Sequence, residues 1–403
     1  MEVTAVILAG GKGTRFVPFV TNKTMWPIGG ESLLEHTIHM VQSAGIHNII
    51  VVANEQNESF LKGYQSVSPN LQYRLQNDAL GMDDALGSIA DLISKKPILV
   101  LNAVDMIEIN CIKRMLDHIA SHKPHLMVCG MRTESYVPAM GYYSFEGEKV
   151  HGVVEKPTRG KEPSRIIRMV ADYFQSPDQL ISLFSQFTNP DAQDMRYELA
   201  QDVLLKQYGA DIEYTSYWSK LKYPHYVLNV MDTFFAHRLK PYIHPSASVA
   251  PNAVLDGKVY VDAHARIDAY AVVKGPAYVG KYVTIGNHSL VRHSMIENNS
   301  IIGFASEVAR SYVGPECLLH HAFVGDSVLE KNINMSWGTV TTNLRLDGKQ
   351  VRCKLPDNTY IETNRNKLGA LISEGVFLGS NVSTMPGVCV APHTKVLPNS
   401  TLR

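Results

Sequence analysis

Three glycines within four positions follow the first aliphatic run of the chain: Val3 to Leu8 leads into Ala9-Gly10-Gly11-Lys12-Gly13-Thr14-Arg15. Glycines so placed let the backbone turn sharply and aim successive N–H groups at one point, the arrangement that holds a phosphate chain. The spacing lacks the Gly-Lys-Ser/Thr ending of a Walker loop, and a dinucleotide fingerprint would need a glycine where Phe16 stands. Arg15 and Lys23 add a planar fork and a point charge, suited to a triphosphate and its departing pyrophosphate. Further on, the run Leu99-Val100-Leu101-Asn102-Ala103-Val104 ends in Asp105. A carboxylate at the mouth of a sheet is a hard oxygen ligand of the kind Mg²⁺ takes, and equally a helix cap.

Those residues need a scaffold that brings strand ends together, and the first 240 residues supply one. Aliphatic runs at 3–8, 48–53, 71–75, 98–101 and 125–129 alternate with amphipathic stretches at 32–44, 57–64, 83–93 and 110–122. This is the order of an α/β, Rossmann-like domain with a mostly parallel sheet, whose chemistry collects at the carboxyl ends of the strands. A last helical pattern spans 226–238.

Beyond it the period becomes six. From Ile243, steps of six give Val249, Leu255, Val261, Ile267, Val273, Val279, Ile285 and Val291; the series slips by one at Ile296, continues through Ile302 and Val308, and returns at Ile372, Leu378, Thr384, Val390, Val396 and Leu402. One inward aliphatic per six residues predicts a hexapeptide-repeat parallel β-helix, each coil buried only against its neighbours. The polar stretch 343–367 reads as a loop thrown out of the coil. The expected domains are therefore 1–238 and 239–403. His244, His264, His288 and His293 show no metal-ligand spacing and read as surface.

Composition removes several function classes. At 403 residues the chain is too long for one core. With 38 basic against 38 acidic side chains it has no net field for a nucleic-acid backbone. No apolar run approaches the roughly 20 residues of a membrane span. Cys111, Cys129, Cys317, Cys353 and Cys389 never form Cys-x-x-Cys, against both a zinc ribbon and a disulfide framework. A reduced, cytoplasmic protein is expected.

The segment from Leu8 to Leu34 resembles the signature of the sugar-1-phosphate nucleotidyltransferases. The resemblance implies that Leu8, Gly10, Gly11, Gly13 and Thr14 embrace a nucleoside triphosphate while Arg15 and Lys23 offset charge on the phosphates being parted. Gln76-Asn77-Asp78-Ala79-Leu80-Gly81 looks like the element that reads a pyrimidine with its amide (Gln76) and glycine backbone (Gly81), although Gln76 alone could be an ordinary surface residue. Asp105 falls at the family's Mg²⁺-binding aspartate. Gly141 and Glu155-Lys156-Pro157 resemble the element whose glutamate holds sugar hydroxyls and whose lysine binds the sugar phosphate. The implied reaction joins a nucleoside triphosphate, UTP or dTTP favoured, to a glucose- or N-acetylglucosamine-type sugar 1-phosphate and releases pyrophosphate. Two departures stand out: Asn22 and Thr24 replace the prolines that usually flank the lysine, and Lys220 replaces a second metal-binding aspartate, for which Asp232 is one substitute.

The remainder resembles the left-handed β-helix half of archaeal-type bifunctional enzymes that add an amino-sugar-1-phosphate N-acetyltransferase, on His320-His321-Ala322-Phe323-Val324-Gly325-Asp326, Trp337-Gly338-Thr339 and Asn366-Lys367-Leu368-Gly369. That likeness implies acetyl-CoA as a possible cofactor, His320 as base, Asn343, Lys349 and Arg352 as further site residues, and a homotrimer. Phe323 stands in place of a tyrosine and Trp337 in place of a small residue, where an indole would border the cofactor groove. A purely acetyltransferase role, or a non-catalytic regulatory or scaffold subunit, are the alternatives.

Overall fold

The computed structural model describes residues 2–76, 80–187, 195–355 and 358–403. Contacts divide the chain into two units, Met1–Lys12 with Leu33–Trp218, and Gly13–Ser32 with Ser219–Arg403. The division differs from the expected 238/239 boundary in two ways: residues 219–238 belong with the β-helix, and so does the stretch 13–32 that carries Arg15 and Lys23.

The first unit is built on nine strands: β1 (Thr4–Leu8), β2 (Ile49–Ala53), β3 (Leu71–Leu75), β4 (Ile98–Asn102), β5 (Leu126–Arg132), β6 (Gly141–Glu146), β7 (Lys149–Glu155), β8 (Ile166–Phe174) and β9 (Asp211–Tyr214). Their order is β7-β6-β8-β4-β1-β2-β3, with β5 paired to β8 and β9. The aliphatic runs at 4–8, 49–53 and 98–101 are buried on both faces, as parallel strands between helix layers must be. Only β4, β1, β2 and β3 form a continuous parallel set; β8 runs antiparallel to β4, and β6 to β7. Register aligns Leu8 with Val52 and Asn102, and Ala53 with Leu75. The chain therefore leaves β1, β2, β3 and β4 at one edge, where Gly10, Asn54, Gln76 and Asp105 follow.

Helices α1 (Leu33–Ser43), α2 (Glu55–Gln65), α3 (Ile109–His122) and α4 (Arg196–Tyr208) cover the sheet. In α3 the buried residues Cys111, Ile112, Met115 and Ile119 recur at the helical period. The helix expected at 83–93 is broken into Met82–Gly87 and Ala90–Ile93. Ser88 sits at the break, its Oγ bonded to the Ala85 carbonyl at 2.7 Å, a contact that weakens a helix at that point.

In the second unit three eight-stranded parallel sheets form the sides of a β-helix, consistent with the left-handed type. The inward residues Val261, Ile267, Val273, Val279, Ile285 and Val291 are buried, while Ile243, on the first coil, is exposed because no coil covers it. The series does not lapse after Val308; it runs on through Val313, Leu319, Val324, Leu329, Met335 and Thr341, all buried. Corners shortened by a residue hide it. Stacked partners are 18 residues apart at Tyr242 and Tyr260, 17 at Tyr278 and Met295, 16 at Tyr312 and Val328, and 18 again at Leu371 and Cys389. The stretch 343–367 leaves the coil as expected but carries its own antiparallel hairpin, Val351–Lys354 with Tyr360–Arg365. Helix α5 (Tyr226–His237) packs beside the coils, with Lys258 Nζ donating to the Phe235 carbonyl at 2.8 Å. The histidines have structural roles. His264 and His288 occupy corners at φ near +60° and stack on Tyr282 and Tyr270, and His293 Nε2 meets Asp232 at 2.8 Å.

Candidate active site

The turn after β1 is held from behind by the start of α2. Asn54 caps that helix through its Oδ1, bonding Gln56 N at 3.0 Å, and its Nδ2 reaches the carbonyls of Ala9 and Gly11 at 3.4 and 3.3 Å. Asn57, fully buried, donates to the Ala9 carbonyl at 3.0 Å. With the carbonyls of Ala9 and Gly11 tied back, Gly10 borders a cleft of about 390 Å³ that Lys12, Asn54, Glu55, Gln56, Leu75 and Gln76 complete. Sequence reasoning missed both asparagines. The available signal was Ala53-Asn54-Glu55-Gln56-Asn57, a helix cap directly after a buried strand.

Gln76 is not a surface amide: it lines that cleft and only 9% of it is exposed. Its Nε2 donates to Asp84 Oδ2 at 2.6 Å and lies 3.5 Å from the Gly81 carbonyl, which fixes the amide's orientation because a carboxylate only accepts. Oε1 is thereby turned toward Gly10, so close that a Cβ at that position would approach it to under 3.0 Å. Glycine at 10 is a requirement of packing, whereas Gly13, at φ +68°, is the one of the three glycines whose backbone angle favours glycine. Asn77, Asp78 and Ala79 of the same element lie outside the described residues. Asp84 was not anticipated.

Asp105 opens the short strand Asp105–Ile107, three residues beyond the end of β4, and is half-buried. Among the described residues no three His, Cys, Asp or Glu side chains gather as a metal cage. A hard cation with one carboxylate and several phosphate oxygens needs no such cage. Asp232, the substitute ligand considered above, is engaged by His293 within the second unit.

Glu155 ends β7 over Gly141, which has no side chain to obstruct it, and lies 3.9 Å from Arg168 Nη1. Arg168 is buried and forked among Gln201 Oε1 at 3.0 Å, Asp172 Oδ2 at 3.2 Å and Glu198 Oε1 at 3.4 Å; Tyr197 donates to Asp172 at 2.7 Å. Burial raises the carboxyls of Asp172 and Glu198 while the guanidinium opposes it. A buried cation at the root of Glu155 orients its carboxylate. Lys156, one residue on, is exposed and held at φ +47° with its N–H bonded to the Met140 carbonyl.

In the second unit, Thr14–Phe16 and Lys23–Met25 each form a 3₁₀ turn. Arg15 is exposed; the Lys23 side chain runs beside Gly13, within 3.5 Å of where a Cβ would stand. The two residues that replace the flanking prolines bond to each other: Asn22 Oδ1 accepts from Thr24 N and from Thr24 Oγ1, both at 2.9 Å and buried. Two hydrogen bonds across Lys23 do the stiffening that proline rings would do. In the β-helix, His320 is exposed, and neighbouring His321 stacks on Trp337 with ring centroids 5.1 Å apart. Asn343 Nδ2 donates to Asp326, which is also forked by Arg310. Lys349 and Arg352 border one cavity of the hairpin loop, and the Arg352 guanidinium lies over the Tyr360 ring.

The nucleotidyl transferase family model matches residues 4–219, more than half of the chain. The chain belongs to the nucleotidyl transferase family. Over nearly its whole length it is also similar to two-activity proteins. A bifunctional protein GlmU of Methanococcus maripaludis strain C5 is 29% identical over 402 residues, covering 98% of this chain and 93% of the relative. A bifunctional sugar-1-phosphate nucleotidylyltransferase/acetyltransferase of Sulfurisphaera tokodaii is 26% identical over 406 residues, covering 98% and 96%. Among solved structures, a glucose-1-phosphate thymidylyltransferase from Bacillus anthracis matches with TM-score 0.51 and 20% identity, over 58% of this chain and 95% of that one. A UDP-glucose pyrophosphorylase matches with TM-score 0.51 and 18% identity, over 59% and 100%. At such identities the solved structures show the fold of this nucleotidyl transferase and nothing finer. Among its described residues no helix is long and apolar enough to cross a membrane.

Proposed function

We propose that this nucleotidyl transferase joins a nucleoside triphosphate to a sugar 1-phosphate, releasing pyrophosphate and forming an NDP-sugar. The observation that carries the reading is the Gly10–Gln76 cleft: a glycine turn for phosphates beside an amide of fixed orientation for a base. With Nε2 spent on Asp84, Gln76 presents Oε1, an acceptor. Uracil and thymine offer a donor at N3 and cytosine does not, which favours UTP or dTTP. One methyl group separates those two by only about 1–3 kcal/mol in a pocket.

The sugar-phosphate oxygen attacks the α-phosphorus in line and pyrophosphate leaves. Little covalent work falls to the protein, so rate comes from positioning and charge neutralisation. Arg15 and Lys23 offset charge on the triphosphate, Lys156 binds the sugar phosphate, and Glu155, set by Arg168, accepts from sugar hydroxyls. Asp105 would hold Mg²⁺, which when bound neutralises phosphate charge. The similarity to relatives named as bifunctional supports a second, acetyl-transfer activity; to it we assign His320 as base, Asn343, Lys349 and Arg352 as further site residues and acetyl-CoA as donor, and we propose that the protein acts as a cytoplasmic homotrimer.

Pyrophosphate release with each common nucleoside triphosphate, paired with glucose 1-phosphate or N-acetylglucosamine 1-phosphate, tests the first activity. Release is expected with UTP or dTTP, and none with any pairing would sink the reading. Asp105→Ala should abolish turnover while leaving the circular dichroism unchanged; activity retained at ordinary Mg²⁺ would remove Asp105 from its role.

A further inference from the structure

One side of the β-helix carries carboxylates where a coil needs none. Strands Met295–Ile296, Tyr312–Val313, Val328–Leu329 and Leu371–Ile372 stack in parallel register, and the next residues, Glu297, Gly314, Glu330 and Ser373, occupy one position on successive coils. Both glutamates are buried, at 0% and 2% exposure. Both oxygens of Glu297 and one of Glu330 are spent on the backbone of 13–32. Glu330 Oε1 accepts from Val20 N at 3.0 Å and Thr21 N at 2.7 Å, and its Oε2 from Ser373 Oγ at 2.8 Å and Glu374 N at 2.9 Å. Glu297 accepts from Gly29 N at 2.8 Å and Gly30 N at 3.0 Å. Ser373 Oγ also lies 2.7 Å from the Pro18 carbonyl, so that its single proton is shared between that carbonyl and Glu330 Oε2; Tyr312 Oη donates to the Pro27 carbonyl at 2.9 Å, while Trp26 lies on the Tyr312 ring. Every one of these contacts is made inside the second unit.

Buried carboxylates are poor cement, because desolvation consumes much of what their hydrogen bonds return, and an apolar face would hold the segment as well. What they do well is specify where N–H groups sit. The N–H groups they specify lie at 20–21 and 29–30, on either side of Lys23.

We propose that Glu330 and Glu297 are positioning residues for nucleotidyl transfer: from two coils of the β-helix they fix the backbone that presents Lys23, so the β-helix is part of the machinery of the first reaction. The proposal rests on the function given above for Lys23. It is tested in the full-length chain with Glu330→Ala, Glu330→Gln, Lys23→Ala and the double variant Glu330→Ala/Lys23→Ala. The readouts are pyrophosphate release and amide hydrogen exchange of peptides covering 13–32.

Glu330→Ala should accelerate exchange at Val20 and Thr21 and lower kcat by about a hundredfold, the cost of a misplaced catalytic group, with KM for the nucleotide changed by less than about threefold. The double variant should be no slower than Lys23→Ala, since a residue that acts through Lys23 has nothing left to position. Should Glu330→Ala fail to fold, Glu330→Gln, which keeps the shape but turns an amide toward one donor, must show the same non-additivity with Lys23→Ala. Multiplicative losses, or unchanged turnover with faster exchange, would overturn the proposal alone. A wild-type chain that releases no pyrophosphate would overturn the functional reading and the proposal with it.

Discussion

Gly10→Ala isolates what the glycine turn does apart from binding phosphate. A Cβ at Gly10 meets Gln76 Oε1 at under 3.0 Å and the Cβ and Cδ of Gln76 at 3.3 Å. That side chain cannot swing aside, because its Nε2 is tied to Asp84 at 2.6 Å. Relief requires a shift of about 1 Å and the loss of a hydrogen bond to a charged group, net about 1.5–3 kcal/mol. Without nucleotide, the first unit should lose about that much stability, a fall in Tm of roughly 3–10 °C for a unit of this size. Gly11→Ala is the control: a Cβ there meets nothing within 4 Å, so its stability should stay within about 0.5 kcal/mol of the parent. With nucleotide, both variants can lose phosphate contacts, but only Gly10→Ala displaces the Gln76 amide, which is proposed to read the base. Its kcat/KM with UTP should fall about 10- to 100-fold, and its preference for UTP over CTP should shrink in step. Scanning calorimetry without ligand, followed by pyrophosphate release with UTP and CTP, makes the measurement. If Gly10→Ala and Gly11→Ala unfold at the same temperature, or UTP:CTP discrimination survives in Gly10→Ala, the Gln76 argument is wrong.

Asn22→Ala removes both bonds to Thr24 and should lower kcat/KM about fivefold, two hydrogen bonds' worth of loop order. Asn22→Pro suits the backbone there, at φ −57°, and should recover most of that loss; equal activity of the two variants would show that stiffness at Lys23 is irrelevant. Burial pushes the Glu297 carboxyl up to about 8 from 4.5, so its contribution to stability is complete at pH below about 4.5 and is lost as pH rises through about 8. Melting temperature followed from pH 5 to 9 should therefore drop more steeply for the parent than for Glu297→Gln, and parallel curves would refute the burial argument. His320→Ala should leave pyrophosphate release within about twofold, because its proposed role belongs to the second reaction alone, and should remove any acetyl transfer from acetyl-CoA. A collapse of pyrophosphate release would tie His320 to the first reaction.

Periodicity made the broad architecture readable. Both-face burial gave unbroken aliphatic runs for β1, β2 and β4, and one inward residue per six gave the coils. Where the signal failed, geometry explains why. Dropping one residue from a corner leaves a coil closed but shifts every later position, so the buried series from Val313 to Thr341 escaped a count of six. Strands β6 to β9 carry alternating or interrupted patterns because they pair antiparallel or sit near the sheet's edge. Residues proposed to meet phosphate, base or metal are recognised by their chemistry and stand out by type, as Arg15, Lys23, Gln76 and Asp105 do. The residues that hold them are chosen by contact. Asn54, Asn57, Asp84 and Arg168 look like ordinary polar residues until their partners are seen, and Glu297 and Glu330 look like solvent-facing acids in a polar corner.

The hydrogen bonds that fix 13–32 join residues 266 to 355 positions apart in the chain. Closing loops of that length is slow even where it is not costly. During synthesis Lys23 emerges early and its supports emerge late, Glu297 after the fourth of the eight strands on its side of the β-helix, Glu330 after the sixth and Ser373 after the seventh. A nascent chain therefore has the β1 turn and Gln76 well before the backbone around Lys23 is held, and competence arrives only with the final coils. A fragment ending at residue 238 would keep all of the sheet but leave the N–H groups of Val20, Thr21, Gly29 and Gly30 to water.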